Sequence, residues 1–240
     1  MTITWNELFF PVVGIRGAGH PELHLGTAFG VAPTGHLLTC RHVVDVAAGL
    51  ELGIFDHRTQ ALVRIERRRI LFPAHPEGLD LAILPPLPGG IPTGFPFLTP
   101  KLLNTGEDVF TFGFYSPSGL AEHRKMGYFK GALTSVDGTE PLPSLTLPFP
   151  VVEGLSGAPV LVQHYGVKAV GVCHGSEAQR VLASEVVDYR DDRGEVRETV
   201  HRVIEFGLAY HGIVAARFLR AAGVNAIMTD QRVALPGLEG

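Results

Sequence analysis

Short apolar runs punctuated by glycine and proline recur along this chain, a pattern of strands rather than helices. Phe9 to Ile15 reads as a first strand and Gly26 to Ala32 as a second. Pro33-Thr34-Gly35 turns the chain into a third strand over His36 to Thr39. Further strands are expected at Ala61–Ile65 and Leu81–Leu84. After a break the pattern resumes at Asp108–Phe114, Met126–Val136, Leu145–Leu147, Ala158–Val162 and Lys168–Cys173. Val181–Asp188 and Glu195–His201 flank Asp191-Asp192-Arg193-Gly194, which predicts a hairpin turn. Only Ile213 to Ala222 carries a clear helical period, with Gly223 as its stop. The stretch 85–100 holds six prolines and three glycines and reads as an extended linker. The tail from Thr229 is expected to be loose.

Composition narrows the function classes. The 240 residues suffice for one large domain or two small ones, and 45% hydrophobic against 18% charged residues supports a sizeable core. The 29 glycines and 18 prolines supply the tight turns that an all-β chain needs. A net charge of −4 gives no general attraction to nucleic acid or anionic membranes, so neither is expected as a partner. No apolar run reaches the roughly 18 residues of a membrane span. The N-terminus lacks the basic start of a signal peptide, so a cytoplasmic location is expected. Cys40 and Cys173 are the two cysteines, too few for a disulfide-stapled fold, and they read as buried free thiols or a single disulfide.

Candidate chemistry centres on Glu153-Gly154-Leu155-Ser156-Gly157-Ala158-Pro159-Val160. Glycines on either side of Leu155-Ser156 let the backbone turn sharply and let another molecule approach. Such a turn exposes a serine hydroxyl and can aim the N–H groups of Gly154 and Ser156 at one point, as an oxyanion hole requires. A serine hydroxyl is protonated at neutral pH and needs a base of pKa near 7, which points to histidine. That imidazole needs a carboxylate behind it to fix its tautomer and stabilise its charged form.

Two upstream segments supply those groups: Thr39-Cys40-Arg41-His42-Val43-Val44 and Asp80-Leu81-Ala82-Ile83-Leu84. The order His, Asp, Ser, with separations of 38 and 76 residues, is the order of chymotrypsin-like proteases. With Gly26-Thr27-Ala28-Phe29 and Gly35-His36-Leu37-Leu38-Thr39-Cys40, these segments give the chain a resemblance to the trypsin/chymotrypsin-like serine protease superfamily. The likeness is greatest to its compact bacterial, HtrA-like members. It implies an all-β fold of two antiparallel six-stranded β-barrels with a C-terminal α-helix. The implied division is an N-terminal barrel over 1–84, a linker over 85–104, a C-terminal barrel over 105–211, and a helix and tail over 212–240. A short helical turn would open at His42 and stop at Gly49.

The resemblance implies a serine endopeptidase with His42, Asp80 and Ser156 as catalytic residues, working through an acyl-enzyme and needing no cofactor. Gly154 and Ser156 would form the oxyanion hole. A protein or peptide would be the substrate, and a regulatory protein partner is a further expectation. The substrate pocket would draw on Pro150, Val151, Cys173, His174 and Gly175. Pro150 holds the pocket-floor position and is no acid, so the resemblance does not imply cleavage after arginine or lysine. His174 reads either as a ligand for an acidic or amide side chain or as a strand residue with no pocket role. Leu155 stands where digestive members carry an aspartate, and an Ile-Val-Gly-Gly start is absent, so activation by that salt bridge is not expected.

Other classes fit less well. A catalytically silent or partner-activated interaction module on the same scaffold is the main alternative. An α/β-hydrolase esterase would need the order Ser, Asp, His and alternating helices. Cys40, His42, Cys173 and His174 match no standard zinc spacing, so no metal is expected. Arg67-Arg68-Arg69 reads as a solvated strand end, and the charged hairpin over 188–198 as an exposed loop or docking arm.

Overall fold

A computed structural model of the chain describes residues 11–17, 20–46, 51–56, 61–74, 78–89, 94–98, 103–115, 125–163, 166–190 and 194–229. The first half forms β1 (Val12–Gly17), β2 (His20–Gly30), β3 (Leu37–Thr39), α1 (Arg41–Val46), β4 (Glu51–Asp56), β5 (Ala61–Glu66) and β6 (Ala82–Leu84). These strands make one antiparallel sheet in the order β5-β4-β1-β2-β3-β6. Past β5, Arg67–Arg69 form a 3₁₀ turn, and Leu71 then exchanges two 2.9 Å backbone bonds with Ile83 of β6. That pairing brings the two ends of the sheet together and curls it into a barrel-like wall. Phe29, Leu37, Leu38, Ile54, Ile83 and Leu84 lie wholly inside it.

The second half forms β7 (Phe97–Leu98), β8 (Asp108–Tyr115), β9 (Lys125–Ala132), β10 (Ser135–Asp137), β11 (Ser144–Leu147), β12 (Pro159–Gln163), β13 (Val167–Arg190) and β14 (Gly194–His211). Helix α2 (Gly212–Ala221) and the short β15 (Met228–Thr229) close the described chain. The nine-stranded sheet runs β10-β11-β14-β13-β12-β8-β9, with β7 set parallel to both β13 and β15. Alternation places its strands: Leu145 and Leu147 of β11 are buried while Ser144 and Thr146 lie nearer the surface. His211 caps α2 by accepting the N–H of Ile213 on Nδ1, and Val214, Ala215, Phe218 and Leu219 form its inner face. The expected all-β, chymotrypsin-like architecture with a C-terminal helix is present, but where two six-stranded barrels were expected the second sheet has nine strands, because β7 and β15 add to it.

Several elements differ from the sequence expectation. The single strand expected over Met126–Val136 is two, β9 and β10, broken at Leu133-Thr134. Leu133 is buried and exchanges backbone bonds with Gly106 and Glu107, which turns the chain there. Part of the proline-rich stretch is a strand, because Phe97 is wholly buried and Pro96 and Phe97 bond to Ala169 and Ile227. The expected strands at Lys168–Cys173 and Val181–Asp188 are one continuous β13. It pairs with β14 from Gly171↔His211 out to Arg190↔Gly194 as a long ribbon. The predicted strand start at Phe9-Phe10, the helix stop at Gly49, most of the 191–194 turn and the tail beyond Thr229 lie outside the described residues.

Candidate active site

Histidine 42 is held by the first turn of α1. Arg41 and His42 are exposed, whereas Val43 and Val44 pack into the core and fix the helix against β2. Arg67, read from sequence as part of a solvated strand end, instead reaches the Val44 carbonyl at 3.2 Å and also pairs with Asp45. The far end of α1 is thereby tied to the chain after β5.

Asp80 approaches from the loop before β6. One carboxylate oxygen accepts the backbone N–H of His42 at 2.8 Å, and the other lies 2.5 Å from His42 Nδ1. This double contact fixes the ring's rotation and assigns the Nδ1 position a proton to share with the carboxylate, leaving Nε2 as the free basic nitrogen. The Asp80 carbonyl accepts the Arg41 N–H at 3.2 Å, and its own N–H donates to the Tyr210 hydroxyl at 3.1 Å.

Ser156 sits between β11 and β12 at the junction of two turns. Leu155 N–H donates to Val152 O at 3.0 Å, and Gly154 in that turn has φ +94°. Ala158 N–H donates to Leu155 O at 2.8 Å, and Gly157 has φ +85°. An i to i+3 bond with positive φ at a glycine in third place, after a non-glycine second residue (Glu153 or Ser156), fits a type II turn, so two such turns share Leu155. In a type II turn the central peptide is flipped relative to type I. Its carbonyl therefore points away from where a type I turn would place it. Among the described residues, neither Gly154 N–H nor Ser156 N–H has a hydrogen-bond acceptor. Leu155, in place of an aspartate, is fully buried in the core of the second sheet, so apolar packing anchors the shared corner.

The turn pair is seated on the first sheet by threonine. Thr27 N–H donates to Ser156 O at 2.9 Å, and Thr27 Oγ1 donates to Gly154 O at 2.8 Å and accepts Phe114 N–H at 3.0 Å. Thr39 Oγ1 in turn donates to Thr27 O at 2.7 Å. Gly157 N–H donates to Cys173 O at 2.8 Å, an oxygen that also accepts the Cys40 thiol at 3.2 Å. The strand before His42 and the turn bearing Ser156 therefore meet on one carbonyl.

Both cysteines are free and wholly buried. Burial pushes the Cys173 thiol up to about 12, and burial with the nearby Asp80 and Cys173 raises that of Cys40. Ligand-type atoms of Cys40, His42 and Asp80 lie within 4.8 Å of one another. The Cys40 thiol of this trio is enclosed and donates to Cys173 O, so only the His42–Asp80 contact is open to solvent.

Of the expected pocket residues, Val151 is tied through its N–H and C=O to Ser176 Oγ at 2.7 and 3.2 Å. Cys173 turns its thiol into the core toward Thr111, and Pro150 and Gly175 are partly exposed. The His174 ring stacks on Tyr210, with centroids 4.3 Å apart and an angle of 27°. Burial lowers its pKa; Asp80 pulls the other way and His42 adds to the lowering, so the ring shares the electrostatic surroundings of the His42–Asp80 pair. Thr27, Thr39 and Tyr210 are the contributors that sequence reasoning missed. A threonine between Gly26 and Ala28-Phe29 is a faint signal of an inward hydroxyl, whereas Tyr210 carries none.

The two β-sheets, the paired His42 and Asp80, and the serine turn seated on β2 through Thr27 together define a chymotrypsin-like fold. The chain belongs to the trypsin-like peptidase domain family, whose description matches residues 26–172. Among solved structures it is similar to the HtrA-type protease AlgW with a tripeptide, at 14% identity and a TM-score of 0.56, covering 88% of this chain and 59% of that one. The MamO protease domain from Magnetospirillum magneticum aligns at 15% identity and a TM-score of 0.53, over 89% of this chain and 98% of that one. A serine endoprotease from Yersinia pestis aligns at 15% and 0.56, over 92% and 67%. No curated protein matches the sequence. Among the described residues no helix is long and apolar enough to cross a membrane.

Proposed function

We propose that the chain is a serine endopeptidase in which Ser156 attacks a peptide carbonyl, His42 acts as general base and then acid, and Asp80 orients and stabilises the imidazolium. The observation that carries this reading is the two-point grip of the Asp80 carboxylate on His42, at 2.8 and 2.5 Å. In the first step the Ser156 oxygen bonds to the carbonyl carbon and its proton passes to His42 Nε2. The resulting oxyanion takes hydrogen bonds from the N–H groups of Gly154 and Ser156, which the type II turn leaves without an internal acceptor. His42 then protonates the leaving amine, and water hydrolyses the acyl-enzyme by the same route.

A peptide is the substrate class this supports, and AlgW, a neighbour in fold, has been solved with a tripeptide and with a decapeptide. Pro150, Val151, Cys173, His174 and Gly175 include no acidic side chain, so a small or apolar residue before the scissile bond is proposed. The test is labelling with a fluorophosphonate probe, using Ser156→Ala and His42→Ala as controls. Labelling that disappears in both variants supports the reading. A folded wild-type protein that takes no label overturns it in favour of a silent scaffold.

A further inference from the structure

Asp80 belongs to neither a strand nor a helix. Gly78, with φ +87°, turns the chain just before it, and β6 begins two residues after it. Its carboxylate must nonetheless be held to within a fraction of an ångström to serve His42. Its main chain has two anchors from different parts of the molecule: the Arg41 N–H grips its carbonyl, and the Tyr210 hydroxyl accepts its N–H at 3.1 Å. Tyr210 lies 130 residues away on β14, in the other sheet, and is 8% exposed. Its ring is clamped by the stacked imidazole of His174 from β13. Its backbone is in register with Val172 and Ser144, inside three paired strands. The hydroxyl is therefore a fixed point of the second sheet that receives the Asp80 N–H.

We infer that Tyr210 is a positioning residue for the reaction, a strut from the second sheet that sets the height of the Asp80 carboxylate beneath His42. The inference rests on the proposed roles of His42 and Asp80. Without the hydroxyl, the Asp80 N–H loses its acceptor and the loop can settle away from the imidazole. A looser carboxylate orients the imidazole and stabilises its charged form less well, so proton transfer through His42 slows. Among the described residues, the titratable groups close to that imidazole are Asp80 from the loop, Cys40 just before α1 and His174 on β13, with Tyr210 against Asp80 and Arg41 and Asp45 paired with each other on α1.

Tyr210→Phe keeps the ring, its stack on His174 and the core volume, and removes only the hydroxyl. The variant should react with the fluorophosphonate about 5- to 10-fold more slowly at saturating probe, as expected for the loss of one hydrogen bond. The concentration for half-saturation should stay unchanged. An unchanged rate overturns the inference while leaving the protease reading intact. In parallel, protein carrying ¹⁵N-histidine, with His42 assigned from His42→Gln, reports the state of the ring without any turnover. If the wild type takes no label, the protease reading fails. A changed His42 ring signal in Tyr210→Phe still supports the strut, and an unchanged one removes it.

Discussion

Thr27 and Ser156 are joined across the two sheets by a 2.9 Å bond from the amide of the first to the carbonyl of the second. The Thr27 hydroxyl adds a buried bond to Gly154 O and a half-buried one from Phe114 N–H. Thr27→Val keeps the shape and the amide but leaves those two groups without a partner. At about 1–3 kcal/mol for each orphaned group, a loss near 2–4 kcal/mol is expected in chemical denaturation. Probe labelling should fall further than stability alone accounts for, because Gly154 O is released at the turn itself.

Gly157 and Gly166 both have positive φ, at +85° and +108°, but they sit in opposite surroundings. A Cβ on Gly157 would stand 2.1 Å from Thr27 O and 2.4 Å from Thr39 Oγ1, whereas one on Gly166 meets nothing within 4 Å. Gly166→Ala should cost only the backbone term, about 1–2 kcal/mol. Gly157→Ala should cost upward of about 4 kcal/mol and yield little folded protein. Melting temperatures of the two purified variants measure the difference directly.

Asp80→Asn keeps the size of the side chain and removes its charge. The amide can offer His42 Nδ1 an N–H, which favours the wrong tautomer. Probe labelling should drop by a factor on the order of 10⁴, with the circular dichroism spectrum unchanged.

Stability should be bounded in pH on both sides. The Cys40 and Cys173 thiols have raised pKa values in the folded chain, about 12 for Cys173. Their contribution is complete below the ordinary thiol value and is lost as pH climbs above it, for Cys173 until about 12 at roughly 1.4 kcal/mol per unit. Burial lowers the pKa values of His174 and His211 instead. Their contribution is complete above the ordinary imidazole value and is lost as pH falls below it, with His211 also giving up its cap on Ile213 N–H. Urea midpoints from pH 5 to 11 should therefore form a plateau. Cys40→Ala with Cys173→Ala should flatten the alkaline slope alone.

The two-sheet fold was legible because alternation and turn residues mark most strands locally. Leu145 and Leu147 of β11 show it, and so does the serine turn with its paired glycines. The split between β9 and β10 was not legible, since Leu133 breaks the strand through contacts to Gly106 and Glu107 that no local pattern encodes. The length of the ribbon was hidden for a similar reason: Gly175 and Ser176 look like a stop, yet cross-strand pairing with Leu208 and Gly207 carries the strand through. His42 and Asp80 were found by their order and context, and their side chains do meet. Tyr210 was invisible, because a tyrosine on an apolar strand looks like core until its hydroxyl is seen against Asp80.

Thr27, Thr39, His42 and Asp80 all belong to the first sheet or the segments joined to it, while Ser156, Gly157 and Tyr210 belong to the second. The bonds that seat the serine turn on the first sheet, from Thr27 to Ser156 O and Gly154 O and from Cys40 to Cys173 O, are bonds between halves, and the proposed centre draws on both. On warming, a slight slippage of one half over the other would silence the centre while both sheets remain intact. Heat inactivation should thus run ahead of melting, with reactivity serving as a gauge of how well the halves are seated.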